Sequence, residues 1–382
     1  MKNNITQFDK CANCGMCLNI CPQNAIYIKT DEYFYKYKVD DSKCVNCGMC
    51  VKKCPLHNKT TFLNIKGAYG GWHKDAQIVK ASSSGGAFSA IANYVLSKGG
   101  VVYGASFSDD SKSVITRSTD EVSLDELRRS KYVESYVGLS FRSIKAELEK
   151  GKWVCFCGTP CQVAGLISYL PKKYDRLVTI DFACGGLTSH LIYQNYCTYL
   201  EKKYKSKIKS VNFRSGVYGW KRHCLRITFE NGKKYTCLSE FDPYIYTFMY
   251  SRYGNRSNCF ACSFRDSHFS DFIIADFWRF KEYSFLDNNE TGISLILTNS
   301  NLAEDILKDI KNNMHLTEVD LNQGMYNCFV KPPVTDVFLN SREAFFHTYE
   351  TKGLRCAAIQ SGMKHGLAKL LRIFMAKKYK KE

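Results

Sequence analysis

The sequence predicts an α/β protein with some α+β elements, built as a small cysteine-bound N-terminal unit followed by a larger body. Three observations carry that expectation. Two cysteine runs of identical spacing open the chain, strand-like and helix-like segments alternate after Gly67, and strands of antiparallel character follow Ser210.

The runs are Cys11-x-x-Cys14-x-x-Cys17-x-x-x-Cys21-Pro22 and Cys44-x-x-Cys47-x-x-Cys50-x-x-x-Cys54-Pro55. This is the spacing with which bacterial ferredoxins hold two 4Fe-4S cubes, the fourth cysteine of each run reaching across to the other cube. Cys11, Cys14, Cys17 and Cys54 are therefore expected on one cube, and Cys44, Cys47, Cys50 and Cys21 on the second. Two intervening residues bend the backbone until three thiolates face one core. Gly15 and Gly48 bring backbone close to sulfide, and the prolines end the turns. Zinc is the alternative, but zinc sites typically pair two Cys-x-x-Cys units with no third cysteine at the next step. Ala25–Ile28 and Thr61–Ile65 read as short strands after each run.

In 382 residues, such a unit leaves enough chain for a large body with its own buried core. The 19 cysteines would suggest disulfides in a secreted protein, yet the chain starts without a secretory pattern and reaches cluster ligands at once, so a reducing, cytoplasmic setting is expected. No uninterrupted apolar stretch approaches the roughly eighteen residues of a membrane span. The formal charge of +18 suits acidic redox proteins, a membrane surface or anionic substrates. Nucleic acid is not expected as a partner, since scattered lysines accompany no recognised binding motif.

Within the body, Gly85–Lys98 reads as a helix with Phe88, Ile91, Tyr94 and Val95 on one face, followed by the strand 101–103. Strands are expected at 153–156 and 177–182, with helices at 161–170 and 188–204. Antiparallel strands are expected at 210–213, 224–229 and 234–237, the last after the Asn231-Gly232 turn. Ser82-Ser83-Ser84-Gly85-Gly86 precedes a helix, where serine caps and the helix dipole could seat a cofactor phosphate or simply form an ordinary N-cap. Cys157-Gly158-Thr159-Pro160-Cys161 forms a strand-to-helix turn, the place where α/β sheets put ligands. Cys161, Cys184, Cys259 and Cys262 could together hold a third cube. Cys155, Cys157, Cys197, Cys224, Cys237, Cys328 and Cys356 lack such partners and read as buried apolar residues.

Motifs in a fixed order add a resemblance. They are Ser83-Ser84-Gly85-Gly86, Ser130-Lys131-Tyr132, Gly158-Thr159-Pro160-Cys161-Gln162-Val163-Ala164-Gly165-Leu166, Asp181-Phe182-Ala183-Cys184, Arg256-x-x-Cys259-x-x-Cys262 and Asp271-x-x-x-x-Asp276-Phe277-Trp278. Over about residues 1 to 330 the chain resembles the coenzyme F-420 hydrogenase/dehydrogenase β subunit family fused to a two-cluster ferredoxin unit. The resemblance implies FAD, a third 4Fe-4S cluster on Cys161, Cys184, Cys259 and Cys262, and flavin contacts from Ser83, Ser84, Gly85, Gly86, Ser130, Lys131 and Tyr132. It also implies a division into residues 1–66 (ferredoxin unit), 67–150 (flavin-associated part), 151–330 (part with the third cluster) and 331–382 (basic helical tail). Many relatives have histidine where this chain has Gly185, and glycines where it has Ala275 and Arg279.

The function expected from these residues is an iron–sulfur flavoprotein oxidoreductase. A ferredoxin-like donor or larger redox complex supplies electrons, and a small organic acceptor, deazaflavin or another molecule, receives them. The alternative is a non-catalytic electron-transfer subunit or adaptor docked on a larger redox enzyme. His190, His223 and Tyr132 are the candidate proton donors. Lys364–Lys381 mixes lysines with Leu367, Leu370, Leu371, Ile373, Phe374 and Met375, the pattern of a basic amphipathic helix that could touch a membrane surface.

Overall fold

The computed structural model describes residues 3–5, 10–57, 64–265, 267–282, 292–322 and 334–364. Cys328, the tail beyond Lys364 and most of the expected strand at Thr61–Ile65 lie outside them; Asn64 and Ile65 are described and are not in a strand.

Each cysteine run turns into a short helix, α1 (Met16–Ile20) and α2 (Met49–Lys52). Both helices start at a glycine in the left-handed region, Gly15 at φ 82° and Gly48 at φ 72°, a conformation that a β-carbon would strain. The hairpin β1 (Ile26–Lys29) and β2 (Lys36–Val39) pairs antiparallel with Ile26 opposite Val39. The partner of the first strand is therefore β2, which the charged sequence Lys36-Tyr37-Lys38 did not advertise as strand.

The body is a nine-stranded mixed sheet. Its strands are β3 (Gly67–His73), β4 (Val101–Phe107), β5 (Val114–Ser118), β6 (Ser135–Tyr136), β7 (Val154–Cys157), β8 (Leu177–Phe182), β12 (Phe272–Asp276), β13 (Ser294–Thr298) and β14 (Met314–Glu318). They stand in the order β14-β3-β13-β12-β8-β7-β4-β5-β6. The central strands β12, β8, β7 and β4 run parallel to their neighbours in that group, so their carboxyl ends share one edge. Alternation along β7 divides two cores. Val154 and Phe156 face α6 (Ser140–Glu149), α7 (Pro160–Tyr169) and the N-terminal unit, whereas Cys155 faces α4 (Ala87–Ser97) and α10 (Asn301–Ile310). Cys155 is thus the apolar core residue it was expected to be.

A three-stranded antiparallel sheet, in the order β11 (Lys234–Leu238), β10 (Cys224–Phe229), β9 (Ile208–Asn212), packs with α8 (His190–Tyr204), α9 (Pro243–Met249) and two C-terminal helices, Asp336–Lys352 and Leu354–Gln360. Buried Asp242 caps α9, accepting from the Tyr244 and Ile245 amides at 3.0 and 2.9 Å and from the Tyr235 hydroxyl at 2.8 Å. Cys197, Cys224 and Cys237 are buried here as expected, but Cys356 is exposed: it sits on a short helix of which only Ala357 and Ala358 are buried.

The N-terminal unit does not hang on a linker. Met16, Cys17, Leu18 and Cys50 share one core cluster with Phe141, Phe156, Cys161, Val163 and Leu166. Beside that core lies a buried ionic node. Glu134, fully buried, accepts from Asn13 Nδ2 at 3.0 Å, from the Tyr35 amide at 2.9 Å and from Arg256 Nε at 2.8 Å. His190 stacks on Tyr35 with ring centroids 3.8 Å apart and reaches the Thr30 carbonyl through Nε2 at 3.0 Å. His190 is fully buried, with Nδ1 3.5 Å from the Glu134 carboxylate.

Removing one member of a buried ion pair leaves the other charged in a dry site, typically a loss of about 3–5 kcal/mol. Glu134→Ala should therefore destabilise the protein by that amount in anaerobic denaturant titrations. It should also expose residues 10–57 to limited proteolysis before the body is cut; an unchanged digestion pattern would show that the node does not hold the unit.

Candidate functional site

The two runs fold so that their fourth cysteines cross over. Cys14 is pushed up mainly by burial and then by the charges of Cys11 and Cys54, and Cys17 mainly by burial and then by Cys14 and Cys11. Cys11, Cys14, Cys17 and Cys54 therefore converge. Cys21 lines a second hollow together with Cys44, Cys47 and Cys50. Backbone amides already point at sulfur. Asn13 N–H donates to Cys11 Sγ at 3.4 Å and Ala25 N–H to Cys21 Sγ at 3.3 Å.

The third quartet also assembles. Cys161 stands at the start of α7, Cys184 follows β8, and Cys259 and Cys262 come from the loop before β12. Burial raises all of these that shift, Cys184 to about 11 and Cys259 to about 12, with each other's charges adding. Thiols raised in this way stay protonated at neutral pH unless a metal centre supplies compensating positive charge. Among the described residues no three His, Cys, Asp or Glu close on a single ion.

The first and third quartets touch. The Cys161 thiol lies 3.4 Å from the Ala12 carbonyl, and Asn258 Nδ2 donates to the Cys11 carbonyl at 3.1 Å. Gly165 on α7 makes this approach feasible: a β-carbon there would meet Cys14 Sγ at 3.2 Å and Cys14 Cβ at 3.0 Å.

Beyond the third quartet, further side chains gather at the carboxyl edge of the parallel strands. The segments that the family resemblance assigned to flavin meet there, since the Ser130 amide donates to Ser83 Oγ at 2.9 Å. Their local roles differ from the expectation. The N-cap of α4 is Gly86 in the left-handed region, not a serine, and Ser84 Oγ donates to the Ile293 carbonyl at 2.7 Å. Gly85 presses on β3, where a β-carbon would come within 2.3 Å of the Gly71 carbonyl oxygen. Lys131 folds back onto the Arg128 carbonyl at 2.7 Å, and burial pushes its ammonium down to about 7. Arg128 donates to Ser89 Oγ in the first turn of α4 at 2.9 Å, and Arg129 donates to the Ala81 carbonyl at 3.0 Å. Arg128 also pairs with Asp125, and the Ala81 carbonyl that Arg129 reaches is the C-cap of the helix Ala76–Lys80, so Arg128 alone of the two is bonded to the first turn of α4.

The opposite wall was not assembled by sequence reasoning. Arg214 forks onto Asp276 at 2.7 and 3.3 Å and touches the Tyr132 hydroxyl at 3.3 Å. Trp220 donates to Asp276 at 3.3 Å and stacks on half-exposed Trp278 with centroids 4.7 Å apart. The Asp276-Phe277-Trp278 motif and the Asn-Gly hairpin region were visible separately; nothing in either announced an Arg–Asp pairing 62 positions apart. Burial, and then Arg214, push His223 beside Trp278 down to about 4, so it is neutral at physiological pH.

Two models describing coenzyme F420 hydrogenase/dehydrogenase β subunits match, the N-terminal part at residues 68–139 and the C-terminal part at 151–323, together well over half of the chain. The chain belongs to that family. A 4Fe-4S dicluster domain model matches residues 10–58, so the N-terminal unit is an iron–sulfur unit and zinc is set aside. No curated protein matches. Among solved structures, a chain of the F420-reducing NiFe hydrogenase complex from Methanosarcina barkeri is similar at 15% identity, covering 77% of this chain and 97% of that one, with a TM-score of 0.46. In this family member the matched body models begin where β3 begins, and no helix among the described residues is long and apolar enough to cross a membrane.

The His223 environment makes a pH prediction. Its folded pKa lies below the ordinary 6.5, so the unfolded chain binds a proton that the folded chain refuses, and stability falls as pH drops from about 6.5 toward 4. His223→Gln should flatten that part of the melting-temperature profile. A profile parallel to the parent's would contradict the assignment.

Proposed function

We propose that this family member is an iron–sulfur flavoprotein that accepts electrons singly at its N-terminal unit and delivers them to FAD at the carboxyl edge of the sheet and from there to a small organic acceptor, deazaflavin F420 or another molecule. On this reading Cys11, Cys14, Cys17 and Cys54 hold one cube, Cys44, Cys47, Cys50 and Cys21 a second, and Cys161, Cys184, Cys259 and Cys262 a third. The division into residues 1–66, 67–150, 151–330 and 331–382 then separates donor side, flavin part, third-cluster part and tail. When bound, cubes supply one-electron steps and FAD pairs them for a two-electron acceptor.

The observation that carries the reading is the continuity of the three thiol quartets. The first abuts the second through Cys17, Cys54 and Cys50 and abuts the third through Cys14 and Cys161, and the third stands at the carboxyl edge of the parallel strands. The protein's own part is positional. The N-terminus of α4 with Arg128 and Arg129 would bind the cofactor's phosphates. Tyr132, packed on Phe248 at 4.8 Å, and Trp278 would flank its ring, and the Arg214–Asp276 pair would keep both walls in register. Membership in a family of β subunits favours one second reading, an adaptor for a larger redox enzyme, which copurification with that enzyme and no turnover by the isolated chain would support.

Protein purified without oxygen should release about one FAD per chain. Arg129→Glu should lower flavin affinity at least tenfold in titrations of the flavin-free protein while leaving iron content unchanged. Cys259→Ser should remove about four iron atoms per chain and spare the N-terminal unit. Absence of flavin, or full retention of iron in the Cys259 variant, would overturn the corresponding part.

A further inference from the structure

The dicluster unit presents its cubes very differently to solvent. Around the first quartet, Cys17 is buried and Cys14 packs against Gly165, so that site is enclosed between the unit and α7. Around the second, Cys47 is exposed, and the hollow that Cys21, Cys44, Cys47 and Cys50 share is rimmed by Val45 and Met49, which are 63% and 40% exposed. A β-branched valine and a methionine left in water beside a redox site form a small apolar contact, the size used by transient electron-transfer encounters, which bury under about 1,200 Å².

From this we infer that the Val45–Met49 loop is the electron port of the protein, and that its partner is an acidic one-electron carrier protein. The inference rests on the ligand sets proposed above but not on the flavin. Electron transfer weakens steeply with distance, and of the three quartets only this one reaches the surface through an exposed ligand. Lys43 and Lys52 flank the loop and are exposed, whereas Asp40 and Asp41 stand beside Lys43, so the immediate rim is only mildly basic. The chain's overall +18 then steers an acidic carrier toward it, and the apolar pair sets the final contact. The transfer is one electron: the carrier is oxidised by one, the chain is reduced by one, and no bond or proton changes hands across the face.

The test uses the full chain, loaded with its clusters, and fully reduced flavodoxin as the acidic carrier. Stopped-flow bleaching of the iron–sulfur absorbance should slow at least tenfold in V45E/M49E, while reduction by dithionite, which needs no docking, stays at the parental rate. Val337→Glu, at an exposed position on the helix Asp336–Lys352, should change neither. If V45E/M49E loses iron, the K43E/K52E variant, at two exposed lysines flanking the loop, takes its place and should show the same slowing. Carbodiimide cross-links to flavodoxin should map to Lys43 and Lys52. An unaltered flavodoxin rate in an iron-replete variant, equal slowing with dithionite, or cross-links confined to other faces would overturn the port. Failure to find FAD would leave all of these readouts intact, so the two ideas fail separately.

Discussion

The architecture depends on one buried ion pair. Glu134 and Arg256 lie in the dry interface between the cysteine unit and the body, the carboxylate fully buried and the guanidinium 6% exposed. Two charges in such a place are tolerated only when every lone pair and proton finds a partner. Here the partners come from both sides: Asn13 and the Tyr35 amide belong to the cysteine unit, Glu134, His190 and Arg256 to the body. The node therefore fixes more than stability. Asn13 lies between Cys11 and Cys14, and Arg256 three residues before Cys259, so the same pair sets the spacing of two thiol quartets.

A second constraint is topological. Ligands in open α/β sheets sit outside the carboxyl ends of parallel strands, where loops diverge and helices begin. In this sheet that edge carries Cys157 and Cys161 after β7, Cys184 after β8 and Asp276 at the end of β12. Lys131 and Tyr132 reach the same edge through the Ser130–Ser83 contact. Gly292 closes the ring, since a β-carbon there would come within 3.0 Å of Ser84 Cα and 3.2 Å of Trp220. The third cysteine quartet and the Arg214–Asp276 pair share an edge because the parallel strands β7, β8 and β12 end there.

What was legible in the sequence was what local spacing encodes. The cysteine runs, the strand Leu177–Phe182, the strand Cys224–Phe229 and the helix ending at Tyr204 follow from periodicity or from turn residues a few positions away. The missed elements owe their form to distant partners. Strand β3 is rich in glycine because β13 and β14 crowd it, and Gly71 has the His315 carbonyl 2.0 Å from where a β-carbon would stand. Arg214–Asp276 and Glu134–Arg256 pair across 62 and 122 positions, separations at which no local pattern exists. The serines before α4 misled for the opposite reason: they suit caps in isolation, but tertiary bonds to Ser130 and Ile293 take their hydroxyls and leave the cap to Gly86.

Gly185 shows how such a departure can be weighed. A β-carbon at Gly185 would find only Phe248 Cζ within 4 Å, at 3.7 Å, so crowding at that first atom does not impose the glycine. What occupies the neighbourhood instead is aromatic: Phe248 beside Gly185, then Tyr132 packed on Phe248 at 4.8 Å and on Phe213 at 5.6 Å. Arg265 also donates to the Gly185 carbonyl at 3.3 Å and its charge acts on Cys184, so the segment after β8 meets a guanidinium as well as the aromatic contact.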